Sequence, residues 1–78
     1  MATERSYTIV LRPEPEGGFT VRVPALPEVV TYGADEEEAT RMAEEAIELA
    51  LDVRQEEGDE LPADIVPLTR KLIIITAA

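Results

Sequence analysis

Residues 7–39 read YTIVLRPEPEGGFTVRVPALPEVVTYGADEEEA, and their turn residues lay out most of a small domain. Tyr7, Ile9 and Leu11 alternate with Thr8, Val10 and Arg12, the period-two pattern of a strand rich in β-branched residues. Pro13 removes a backbone donor and ends it. Gly17 and Gly18 supply the positive φ that a tight hairpin demands. Phe19, Val21 and Val23 then alternate with Thr20 and Arg22, which predicts a second strand with the first three facing the core. Pro24 and Pro27 bracket Ala25 and Leu26 and predict an extended corner. A third, shorter strand is expected over residues 29–32, broken by Gly33 and Ala34.

Asp35 opens a helix. Its carboxylate is placed to accept the Glu38 amide while Glu38 reaches back, an Asp version of the capping box. Glu36, Glu37 and Glu38 stand where the helix dipole favours negative charge. The helix is expected to run to Glu56 or Glu57 and stop at Gly58. Ala39, Ala43, Ala46, Ala50 and Val53 read as the centre of its apolar face, with Met42 and Leu49 on one flank and Ile47 and Leu51 on the other. The apolar arc is about 200° wide, more than packing on one sheet requires. The Ile47/Leu51 flank is therefore expected to serve a second surface.

Residues 58–67 form a loop held open by Pro62 and Pro67, and a last strand is expected over residues 68–76. Alternation fails there: Leu72, Ile73, Ile74 and Ile75 are all apolar, as in a strand covered on both faces. The sum is one domain, residues 1–78, of α+β class: a β-β-β-α-β two-layer domain with one helix packed on a mainly antiparallel sheet.

Seventy-eight residues bury too little surface for a robust isolated monomer. With no Cys, disulfides are excluded, and with no His as well, so is a Cys/His zinc site. Oligomerisation is the remaining remedy. A homodimer or higher oligomer is expected through Leu72, Ile73, Ile74 and Ile75, together with Ile47 and Leu51. Seventeen acidic residues against seven basic give a net charge of −10. That argues against direct nucleic-acid binding and favours a cationic partner. No apolar stretch approaches the ~20 residues of a membrane span. Nor does the N-terminus carry the hydrophobic segment of a secretory signal, so a cytoplasmic protein is expected.

No catalytic group declares itself. Glu37, Glu38, Glu44, Glu45, Glu48 and Asp52 include spacings suited to a metal or acid–base site, but they fall on the polar arc of an amphipathic helix. Glu37 and Arg41 are spaced for a surface pair. Glu14, Glu16 and Glu28 read as turn solvation. Arg12 and Arg22, with Arg70 and Lys71 nearby in the layout, lack interleaved aromatics and read as cross-strand salt-bridging groups. A nucleophilic triad has no His base, and Gly17-Gly18 is too short for a phosphate loop. No metal or cofactor is expected.

The segments YTIVL, GGFTVRVPALP and YGADEEEA followed by MAEEAIEL, in that order and spacing, resemble HicB-like antitoxins over residues 7–62. The resemblance implies a β-β-β-α-β domain likened to a degenerate ribonuclease H fold without its activity. It implies a non-catalytic protein that binds and neutralises a small basic, RNA-cleaving HicA-like toxin. Glu37, Glu44, Glu45 and Glu48 are the expected acidic contributors, with Leu26 as an apolar contact. Glu28 and Val29 depart from the Gly-Cys or Gly-Val common in that family. The resemblance implies that members often add a C-terminal DNA-binding domain; none is expected after Ala78, and autorepression by this chain alone is not expected. The rival readings are an oligomeric scaffold or ligand-binding module without a toxin, and a metal-dependent nuclease.

Overall fold

The computed structural model describes residues 5–65 and 72–77, with side chains from residue 6 to residue 65. The chain runs β1 (Arg5–Pro13), β2 (Phe19–Arg22), β3 (Val30–Gly33), α1 (Glu36–Glu56) and β4 (Leu72–Ala77). The four strands form one antiparallel sheet in the order β3-β2-β1-β4, with α1 packed across one face. This is the expected α+β two-layer domain. The expected strand over residues 68–76 falls partly outside the described residues, as do Arg70 and Lys71.

The local devices are those that the turn chemistry demands. Glu14 and Gly18 close the β1–β2 hairpin by an amide-to-carbonyl bond of 3.0 Å, and Gly17 and Gly18 both adopt positive φ. The Asp35 carboxylate accepts the Glu38 amide at 2.8 Å. Glu38 reaches back to the Ala34 amide at 2.7 Å, one residue beyond the usual capping-box partner, the Asp35 amide. At the other end, the Asp59 amide bonds Arg54 O and the Gly58 amide bonds Gln55 O, with Gly58 at φ 78°. That pair of bonds is a Schellman motif, which satisfies two carbonyls the helix leaves open.

The corner after β2 differs from the expected extended form. Two successive turns are closed by Leu26 N to Val23 O (3.0 Å) and Val29 N to Leu26 O (2.9 Å). Pro24 and Pro27 each occupy the second position of a turn, where a fixed φ near −65° suits them. The corner thereby folds inward and buries Ala25, Leu26 and Val29.

The core lies between the sheet and α1. Tyr7, Ile9, Leu11, Val21 and Val23 face Ala39, Ala43, Ile47 and Leu51, and Leu26 joins them from the corner. Gly33 is buried under the first turn of α1, and a β-carbon there would collide with the backbone of Ala39. The glycine is thus required for close approach of helix and sheet, beyond its role as a strand breaker.

The loop after α1 also has structure. β2 pairs with β1 only over residues 10–13, so it offers Thr8 no partner. Asp64 takes that place: one carboxylate oxygen accepts the Thr8 amide (2.8 Å) and the other its hydroxyl (2.7 Å). The fully buried Thr8 is thereby satisfied. Beside it, the Tyr7 hydroxyl donates to Pro62 O at 2.6 Å.

Candidate protein-docking surfaces

The apolar arc of α1 is turned relative to expectation, and this decides which residues can meet a partner. Ala39, Ala43, Ile47 and Leu51, each four residues after the last, form the buried line. Ile47 is fully enclosed and Leu51 nearly so, within the chain's own core, so neither forms the second surface expected of that flank. The opposite flank is exposed instead: Leu49 shows 66% of its surface and Val53 45%. Branched Ile47 and Leu51 supply core volume in one cluster with Tyr7, Ile9, Leu11 and Val21, while Gly33 against Ala39 brings the helix down beside β3. Leu26, expected as a partner contact, is likewise fully buried and unavailable to a partner.

Glu37, Glu44, Glu45 and Glu48 are all exposed on the solvent side of α1. At about 100° per residue, Glu37, Glu44 and Glu48 make a row on the flank beside Leu51. Glu45 and Asp52 lie next round the helix, between Glu48 and Leu49 and within one turn of both. The expected Glu37–Arg41 pair does not form; Arg41 lies 3.8 Å from Glu38. Among the described residues, no cation pairs with Glu37, Glu44, Glu45, Glu48 or Asp52.

Between the exposed flank of α1 and the corner leading into β3 lies a groove of about 300 Å³. Glu28, Val29, Val30, Ala46, Leu49, Ala50 and Val53 line it. Its end is tied by a two-pronged pair that sequence reading missed: Arg54 Nε and one terminal nitrogen donate to the two Glu28 carboxylate oxygens at 2.8 and 2.9 Å. The partners are 26 residues apart, so no local spacing signals them. Hydrogen bonding from Arg54 is the main cause that lowers the Glu28 pKa, against the opposing effect of burial. The same bond raises that of Arg54.

The other face of the sheet carries Arg12, Thr20, Arg22, Val30 and Tyr32, all at least partly exposed. Arg12 makes a long 3.7 Å contact with Glu14, and Arg22 has no ion pair among the described residues. The expected cross-strand bridging is therefore not seen at Arg22. The register sets Ile73 and Ile75 opposite Ile9 and Tyr7, and Leu72 and Ile74 opposite Val10 and Thr8. The side chains of these four lie outside the described ones. No group of three acidic side chains suited to a metal ion occurs among the described residues. No described helix is long and apolar enough to cross a membrane.

Comparison with known proteins gives these surfaces a context. Residues 7–71 match the family model described as HicB_like antitoxin of bacterial toxin-antitoxin system. The chain is 38% identical over 56 residues to Antitoxin HicB 1 of Photorhabdus laumondii subsp. laumondii, a match covering 72% of this chain and 36% of that protein. The chain thus spans about a third of that relative's length. It is 31% identical over 58 residues to UPF0150 protein Ta0767 of Thermoplasma acidophilum, covering 74% of this chain and 84% of that one. With the family match reaching from the start of the β1 core to beyond the Asp64 contact, the chain belongs to the HicB-like antitoxin family of bacterial toxin–antitoxin systems.

Proposed function

We propose that this chain is a non-catalytic antitoxin domain whose partner is a small, basic, RNA-cleaving toxin of the HicA type. Family membership supports the antitoxin role. The observation that carries the partner's chemistry is the row Glu37, Glu44 and Glu48, exposed on α1 and lacking an ion pair among the described residues. Carboxylates along one helix face that outnumber its single cation, Arg41, on a chain of net charge −10, attract and orient a basic protein. They make a poor catalytic centre, since each is exposed to solvent and, among the described residues, none belongs to a group of three suited to a metal ion.

The reading includes self-association. β4 is an edge strand in this sheet, and an edge with apolar residues at 72–75 favours pairing with a second copy. Sedimentation at micromolar concentration should give a species heavier than the 8.6 kDa monomer. A monomer under those conditions would remove this part of the reading.

The antitoxin role is tested by RNA cleavage. The basic protein encoded beside this chain should cleave labelled RNA, and an equimolar amount of this chain should suppress the cleavage. The chain alone, with added divalent metal, should leave the RNA intact. If toxin activity is unaffected by excess chain, an oligomeric scaffold without a toxin becomes the better reading.

A further inference from the structure

From the groove beside α1 we infer a distinct anchoring site, which takes the apolar side of a basic amphipathic helix from the partner protein. The inference rests on the partner reading above and names the surface that holds the partner once charge has brought it in.

The groove combines an aliphatic floor with an acidic rim. Val29, Val30, Ala46, Ala50 and Val53 line it, and Leu49 stands at its solvent edge. The helix neighbours of Leu49 are Glu45 and Ala46 on the turn before, and Asp52 and Val53 on the turn after. Ala46 and Val53 line the groove, while exposed Glu45 and Asp52 stand within one turn of Leu49 on its solvent side. The one polar side chain in the lining, Glu28, is engaged by both donors of Arg54. The groove therefore presents aliphatic carbon to an occupant and no free polar handle, which disfavours a small polar ligand.

Length and charge select among macromolecular occupants. From Ala46 to Val53 the groove follows α1 for about 10 Å, enough for two anchors spaced i,i+3 or i,i+4 on a docked helix. Basic residues flanking those anchors would meet Glu45 and Asp52. A second copy of this chain fits less well, because each copy carries −10 and would add like charge at the same rim.

The test uses the double variant Leu49→Gln, Val53→Gln, which keeps the charge and replaces exposed residues with good helix formers. Association and dissociation rates are measured against the basic protein encoded beside this chain. Dissociation should quicken at least tenfold, roughly the loss of one buried aliphatic contact, with association unchanged. In a second variant, Glu45→Gln with Asp52→Asn, association should slow at low salt. If the partner binds wild type and leaves the Leu49/Val53 variant equally slowly, the groove is not its anchor, and the antitoxin reading stands. If wild type binds no basic partner at all, the antitoxin reading itself fails. If wild type alone is a dimer that the Leu49/Val53 variant abolishes, the groove belongs to a second copy and the inference is overturned.

Discussion

Gly33 lies where the backbone of α1 comes down onto the end of β3, and no space remains there for a side chain. Replacing it with Ala must push the first turn of the helix away from the sheet. The expected cost is about 1–3 kcal/mol, read as a lower urea midpoint; an unchanged midpoint would show that the helix is not seated as described. Glu28 and Arg54 act at the same scale but respond to pH. The folded pKa of Glu28 is lowered from its ordinary 4.5, chiefly by hydrogen bonding from Arg54. A lowered carboxylate contributes stability above its unfolded value and loses it as pH falls through the folded one. Wild type should therefore melt above Arg54→Ala at neutral pH, and the gap should close in acid as Glu28 protonates. A gap that persists at low pH would assign the effect of Arg54 to its aliphatic stem. Neither role was legible in sequence. Gly33 reads as a strand breaker because nothing local shows a helix arriving from above, and Glu28 and Arg54 are too far apart in the chain to declare a pair.

The helix shows where periodicity informs and where it stops. Its start at Asp35 and its stop at Gly58 were legible, because caps are local chemistry. The width of the apolar arc was legible too. Which flank packs inward was not, since an arc of about 200° can rotate on a sheet without changing the sequence pattern. The buried side carries Ile47 and Leu51, which supply volume to the core cluster, and close approach to β3 is allowed by Gly33 against Ala39. Two substitutions separate the flanks. Ile47→Ala should cost about 2–5 kcal/mol in chemical denaturation, as a cavity in the core. Leu49→Gln should change stability by no more than about 0.5 kcal/mol. Reversed costs would return the buried face to the Leu49 side. The corner teaches a related lesson: two prolines mark a turn, but Leu26 enters the core because of hydrogen bonds among residues 23–29 that the prolines alone do not specify.

For the whole molecule, the strand order β3-β2-β1-β4 came only with the structure, because pairing between β1 and β4 joins residues far apart in the chain. The helix layer, the antiparallel sheet and the family follow from turn residues, patterning and the order of motifs. The division of labour on its surface does not, because it depends on which way the helix is turned. Three of the four glutamates chosen from sequence form one row, and Glu45 lies between that row and Leu49. Net charge of −10 gives a long-range field, screened over ~10 Å at 0.1 M salt, so it should act on encounter more than on residence. The central claim is that the Glu37, Glu44 and Glu48 row captures a basic toxin. The most direct measurement is the association rate of the basic neighbouring protein with wild type and with Glu37→Gln, Glu44→Gln, Glu48→Gln, at about 0.05 M and about 0.5 M salt. Wild type should associate faster at low salt, and the triple variant should lose most of that advantage while keeping its fold and its dissociation rate. Equal association rates for the two proteins at low salt would contradict the claim.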